Sequence, residues 1–335
     1  MIRNQLSLII VTALSFSSTF FLYPIRSLHA LYSVTISQTF PQIPENASIV
    51  FESKHQGASE LYKLTTTGVV RLTDNPWEDT QPSWSPNRDK IVFVSNETGS
   101  LQIYTMNADG SQRQRLTNNP TSVWNPVYSP DGTKIAFTLK RNATSLNPGV
   151  FVMNADGSNQ RQLSSHNDEE KEPFWFPDGN KIAFVSTRDY YDHIYVMNAD
   201  GSDPKARAND PGVYFNNPAV SPNGTKIAYS RVHSEAIPKS KGDIWVMEAN
   251  GQNKVRLTST ALIDENSPTW SPDNTQIAFM SDQDGDWDLF VMNVDGSNIQ
   301  KLFRTHSYTS KPAWAAPKQA YLTLLPVLFT TNVNR

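Results

Sequence analysis

A short phrase close to Pro-x-Trp-Ser-Pro recurs six times in this chain, starting at Pro82, Pro126, Pro173, Pro218, Pro268 and Pro312. The copies read PSWSP, PVYSP, PFWFP, PAVSP, PTWSP and PAWAAP, with 44, 47, 45, 50 and 44 residues between successive starts. A fixed period in the forties constrains the fold more than any other feature. Each period is one supersecondary unit that cannot bury its apolar faces alone, so neighbouring units must stack. A second phrase keeps the same period: MNADGS at Met106, Met153 and Met197, MEANGQ at Met247 and MNVDGS at Met292, with a worn copy, LTTTG, at Leu64.

The unit between Pro126 and Leu163 shows what one period encodes. PVYS is a short apolar-aromatic run that stops at the turn residues Pro130, Asp131 and Gly132. KIAFT follows, then a variable stretch, then the apolar run GVFVM, then the turn Asn154, Ala155, Asp156 and Gly157, and last the more polar RQL. These are four strand-length segments with no helical periodicity. The two inner runs are apolar on both pleat faces, as in sheets covered on both sides. A polar outer strand suits an exposed edge. Small four-stranded sheets stacked radially meet both demands, so the expected architecture is an all-β, six-bladed β-propeller of four-stranded antiparallel blades.

Five units are complete, at about 82–117, 126–163, 173–208, 218–258 and 268–303. Residues 47–73 supply three further strands (SIVFES, ELYKL, VVRLT) without a first one, and residues 311–316 supply a first strand, KPAWAA. The two remnants complement each other, which predicts a ring closed by N- and C-terminal strands sharing one blade. The expected organisation is a signal peptide or N-terminal anchor over 1–30, a linker over 31–46, the propeller over 47–317 and a tail over 318–335.

Composition narrows the partners. The net charge is −3, only 18% of residues are charged, and there is no basic stripe of the kind that nucleic acid requires. The chain has no cysteine, hence no disulfide, thiol nucleophile or cysteine-based metal site. At the N-terminus, Arg3 is followed by a run from Leu6 to Tyr23 that is apolar apart from Ser and Thr, then by Arg26 and Ser27-Leu28-His29-Ala30. This order of charge, apolar run and small residue reads as an export signal cleaved after Ala30, or as an uncleaved membrane anchor. A monomer, periplasmic or secreted, is expected.

The stretches PVYSPDGTKIAFT, PFWFPDGNKIAFVS, PTWSPDNTQIAFMS, HIYVMNADGS and IYTMNADGSQRQRLT resemble the repeat of the TolB-type β-propeller family. The resemblance recurs in every unit. It implies a propeller of a bacterial, largely exported family. Some family members carry an α/β domain ahead of the propeller, and this chain is expected to lack it, because about 16 residues would separate a cleaved signal from the first strand. A role in the Tol–Pal system is therefore not expected to carry over. Related propellers also precede serine-hydrolase domains in some peptidases, and no such domain is expected here.

The repeat also sorts the loops. The PDG-type and NADG-type turns join strands one to two and three to four, so both emerge on one face, and they are nearly uniform. The loops between strands two and three, and between blades, emerge on the opposite face and vary strongly: SNETGSLQ, STRDYYDH and SDQDGDWD among the first, DNPWEDTQ, SHNDEEKE and NDPGVYFNN among the second. Variable loops on a rigid scaffold are where binding usually lives. Gln81, Asn125, Glu172, Asn217, Ser267 and Lys311, each just before an inner strand, are expected to ring a channel mouth, with Trp77, Trp124, Tyr214, Phe215 and Tyr308 nearby. Polar and aromatic groups together suit a peptide or a protein surface. Trp84, Trp175, Trp270 and Trp314 recur at one repeat position and are expected in the core between blades.

Motifs of chemistry are absent: no G-x-S-x-G elbow, P-loop, H-E-x-x-H or G-x-G-x-x-G occurs. His166, His233 and His306 fall in variable loops, and three convergent histidines could hold a metal. Asp282, Asp284, Asp286 and Asp288 alternate through one loop, a weak candidate for Ca2+. The expectation is a non-enzymatic propeller without a cofactor, binding a protein or peptide on its variable face. The alternative is a metal-assisted lyase or hydrolase acting on a polyanionic sugar. Against it stand the acidic residues Glu78, Asp79, Asp168, Glu169, Glu170, Asp264 and Glu265 assigned to that face.

Overall fold

The computed structural model describes residues 43–44, 47–54, 57–140, 147–164, 167–233, 241–260, 262–305 and 311–315. Segments 1–30 and 318–335, Tyr308, His166, His306 and the side chain of His233 lie outside the described residues. The regular structure described is all β, in six four-stranded antiparallel sheets. Blade 1 is built of Asp79–Trp84, Lys90–Ser95, Gln102–Asn107 and Gln114–Arg115, from the axis outward. Blades 2 to 5 repeat this order over 123–162, 170–208, 213–256 and 265–304. Each innermost strand lies beside that of the next blade, and that of blade 5 neighbours Ala313–Trp314 of blade 6, so the six form a closed ring.

The second strands carry the core because both their faces are covered. Ile91, Val92, Phe93 and Val94 are wholly buried, as are Ile182, Ala183, Phe184 and Val185. Side chains from one pleat face meet the preceding blade and those from the other meet the following blade. Between blades 2 and 3, for example, Val150 and Val152 pack on Trp175, Ile182 and Phe184. Each such large side chain contributes about 1.5–3 kcal/mol by leaving water. The repeated tryptophans sit in these seams: Trp84 against Val50, Leu61 and Ala315, and Trp270 against Ala219 and Val246. The indole N–H of Trp270 donates to the Ala219 carbonyl of the neighbouring blade at 2.9 Å.

Blade 6 joins both ends of the described chain. Ala313–Trp314 pairs antiparallel with Ser48–Ser53, placing Trp314 opposite Ile49 and Ala313 opposite Val50. Glu60–Thr65 and Gly68–Arg71 complete the sheet. The Ala315 N–H donates to the Ser48 carbonyl at 2.9 Å, extending the pairing by one bond. Trp314 is buried with Ile49, Phe51, Ala278, Met280 and Leu289, and so links blade 6 to blade 5.

Two features differ from the expectation. First, the innermost strands begin before the proline phrase, at Asp79, Val123, Glu170, Val213 and Glu265. A bulge precedes or includes each proline: the pairing of Thr80 with Val94 resumes only at Ser83 with Val92, and the other four blades skip at the same place. Proline lacks an N–H for the ladder, so the strand accommodates it where pairing is already interrupted. The residue before the proline absorbs the kink in a left-handed conformation: φ is +52° to +56° at Gln81, Asn125, Glu172, Asn217 and Ser267. These residues therefore lie inside the strands.

Second, the NADG glycines do more than turn the chain. At Gly157 (φ +89°), a Cβ would stand 2.4 Å from the Leu116 carbonyl oxygen of the preceding blade. The same close approach recurs at Gly110, Gly201, Gly251 and Gly296, so this turn is also an inter-blade contact.

Candidate functional site: the channel mouth

The six innermost strands enclose a channel of about 360 Å³. Gln81, Asn125, Glu172, Asn217, Ser267 and Lys311 all line it, together with the prolines that follow them. Loops expected on one face do meet one another. Glu78, in the connection to blade 1, exchanges bonds with Asn96 in the loop between strands two and three: its N–H donates to Asn96 Oδ1 at 2.8 Å and its carbonyl accepts from the Asn96 N–H at 3.3 Å.

The mouth residues bind one another around the bore. The N–H of Gln81 donates to Glu52 Oε2 at 3.0 Å, and Gln81 Oε1 accepts the N–H of Asn125 at 2.7 Å. The Thr138 hydroxyl accepts from the Glu172 N–H at 3.1 Å and bridges to Asn125 Oδ1 at 3.3 Å. Glu172 Oε2 accepts the N–H of Asn217 at 2.5 Å. Glu172 Oε1 lies 3.3 Å from Lys311 Nζ. Burial pushes the Glu172 carboxyl up, but Lys311, Lys171 and the Asn217 N–H outweigh it and hold the group below the usual glutamate range. Sequence reasoning missed Glu52 and Thr138. Their signal was a polar residue inside an otherwise apolar second strand, SIVFES and KIAFT.

The outer aromatics divide. Trp77 and Tyr214 are exposed at 38% and 37%, and Trp124 is half-buried. Tyr214 meets Tyr191 edge-to-face at 5.5 Å. Phe215 is wholly buried between His193 and Tyr229, so the expectation that it contacts a partner is corrected. Tyr214 and Phe215 are consecutive in an extended strand and point to opposite faces. Tyr190 was overlooked: it is 95% exposed at the tip of a variable loop, with φ +74° where the equivalent loops of blades 1 and 5 have Gly99 and Gly285.

Several acidic residues assigned to this face turn inward instead. Asp79, Glu170 and Glu265 are buried at the starts of innermost strands, where the pleat aims them between blades. Arg113 holds Asp79 with two bonds, at 2.6 and 3.2 Å, while its guanidinium covers the Tyr104 ring. Arg188 holds Glu170 at 2.5 Å. The hydroxyls of Thr258 and Thr260 donate to Glu265, but burial dominates and raises its carboxyl above the usual range.

The four loop aspartates do not converge. Asp282 takes the N–H of Asp264 at 2.6 Å and pairs with Lys241, whereas Asp284 and Asp288 share Lys301. Among the described residues, no three His, Asp or Glu side chains gather in a metal-binding group.

The description TolB beta propeller domain matches this chain over residues 33–144, 111–240 and 236–324. The chain belongs to that family. TolB of Acinetobacter baumannii superposes with a TM-score of 0.70 and 23% identity, covering 83% of this chain and 69% of that one. A TolB-type protein of Agrobacterium tumefaciens gives 0.63 and 18%, covering 80% and 97%. Both show the shared propeller fold. YuxL of Bacillus subtilis (strain 168), described as an uncharacterized peptidase, is 32% identical over 113 residues, which make up 33% of this chain and 17% of that protein. No helix among the described residues of this TolB-family chain is long and apolar enough to cross a membrane.

Proposed function

We infer that this chain is an exported, non-catalytic propeller that binds a protein or peptide on its variable-loop face, with an extended segment seated in the channel mouth. The observation that carries this reading is the contrast between the two faces. Near-uniform turns, locked to neighbouring blades at Gly157 and its equivalents, occupy one. Polar mouth residues with the exposed rings of Trp77 and Tyr214 occupy the other. A concave, partly apolar site with a few placed polar groups is the usual form of a binding site. Export rests on the order of Arg3, the apolar run and Ala30 in the sequence.

A random peptide library, displayed in both terminal orientations and panned on the full chain, tests the reading. Binders should lose affinity when Trp77→Ala and Tyr214→Ala are combined with Asn217→Ala, and keep it when Asp156→Ala and Asp200→Ala alter the opposite face. The reverse pattern, or no binder, overturns it. Cell fractionation with N-terminal sequencing tests export, and a cytoplasmic protein retaining Met1 sinks that part.

A further inference from the structure

We propose that the channel mouth is a receptor for a carboxylate on the bound segment, with Lys311 as the group that receives it and Glu172 as the internal carboxylate holding its place. This rests on the binding reading above and names the chemistry of the same site.

The case comes from what the mouth has left to offer. The Asn125 N–H can only donate, so the Gln81 oxygen must face it and the Gln81 amide NH2 is left over. The Thr138 hydroxyl already accepts from the Glu172 N–H, so its proton goes to Asn125 Oδ1 and leaves the Asn125 NH2. The Asn217 side-chain amide and the Ser267 hydroxyl make no hydrogen bond with the described residues. The acceptors of Gln81, Asn125 and Glu172 are thus engaged, whereas the groups in surplus are largely donors.

Lys311 adds the one positive charge among the six mouth residues. Its ammonium has three donors and, among the described residues, meets a single partner, Glu172 Oε1, at 3.3 Å. That exceeds the roughly 2.7–2.9 Å of a strong charge-assisted bond. Glu172 does not depend on it for position, because its other oxygen takes the Asn217 N–H and its own N–H is bound by Thr138. Lys311 can therefore exchange one carboxylate for another without dismantling the belt. An acceptor-only, negatively charged group is what a ring of donors around one ammonium selects. A lysine or arginine side chain would find the Asn217 and Ser267 oxygens but no carboxylate that Lys311 does not already hold. Of the other acids on this face, Asp79, Glu170 and Glu265 are turned between the blades and held there, which leaves Glu172 and the buried Glu52 as the carboxylates of the belt.

The carboxylate can be a chain-terminal one or an Asp or Glu side chain, and the test separates them. Peptides selected by the panning above are resynthesised with the C-terminal carboxylate as carboxamide, and separately with each Asp or Glu as Asn or Gln. Affinity is measured on the wild type, Lys311→Met and Glu172→Gln. On the wild type, one of the two replacements should weaken binding about tenfold, as expected for losing a charged hydrogen bond. On Lys311→Met that difference should fall below about twofold. Glu172→Gln keeps an acceptor for the Asn217 N–H but removes the competing charge, so carboxylate peptides should bind about threefold or more tightly and their amides unchanged. Near-ultraviolet circular dichroism and melting temperature establish that each variant folds; if Lys311→Met does not, Glu172→Gln decides by the same comparison. Binders indifferent to both replacements, or an unchanged difference on Lys311→Met, overturn this inference and leave the binding reading standing. Absence of any mouth-dependent binder overturns both.

Discussion

Lys311 and Glu172 come from blades on opposite sides of the ring, yet their charged groups meet across the bore at 3.3 Å. The Glu172 carboxyl is lowered despite burial, chiefly by Lys311. A depressed carboxyl stabilises the fold above the ordinary glutamate value of 4.5, and that contribution disappears as pH falls through the lowered folded value. The melting temperature of the wild type should therefore exceed that of Glu172→Gln at pH above the ordinary glutamate value, and the gap should narrow as pH falls below it. A gap independent of pH would count against the pair.

Gly157→Ala and Gly99→Ala separate turn strain from inter-blade contact. Both glycines have φ of +89°. A Cβ at Gly99 meets nothing within 4 Å, whereas at Gly157 it strikes the Leu116 carbonyl oxygen at 2.4 Å. Gly99→Ala should cost about 1 kcal/mol, from conformation alone. Gly157→Ala should cost more than twice as much in denaturant unfolding, since the turn must withdraw from blade 1. Equal losses would show that the close approach carries no energy.

Removing residues 311–335 deletes Trp314 and its pairing with Ile49, whereas removing 318–335 leaves both. Losing a buried aromatic of this kind costs about 3–5 kcal/mol. The first deletion should lower the melting temperature sharply and promote association through the bared edge of Ser48–Ser53. The second should do neither. Thermal unfolding with light scattering compares them, and identical behaviour would refute closure through Trp314.

Arg113→Ala leaves the wholly buried Asp79 carboxylate with the Asn75 amide as its remaining side-chain partner. A cost of about 3 kcal/mol is expected, as for an uncompensated buried charge. Adding Asp79→Asn should restore part of it. A double variant as unstable as the sum of the two single ones would show that the residues do not act as a pair.

The ring was legible in the chain because its information is local. Proline and glycine turns mark strand ends, and runs such as KIAFT show both pleat faces apolar, so blade number followed from the period and closure from the two complementary remnants. Trp84, Trp175, Trp270 and Trp314 recur at one position, and a residue that stacks only on its nearest neighbours must recur in this way. The bulge before each proline was not legible, and it decides which residues enter the bore. Nor was the fate of Asp79, Glu170 and Glu265, which look like loop acids until the start of the strand turns them between blades. Tyr214 and Phe215 are alike in sequence and opposite in exposure, because alternation along a strand has to be counted from a start that the repeat does not mark. The Lys311–Glu172 pair needed the tertiary structure most of all. A repeat specifies how each blade stacks on the next, whereas a contact between the first and fourth of a half-ring depends on the width of the bore, which emerges only when all six blades have closed.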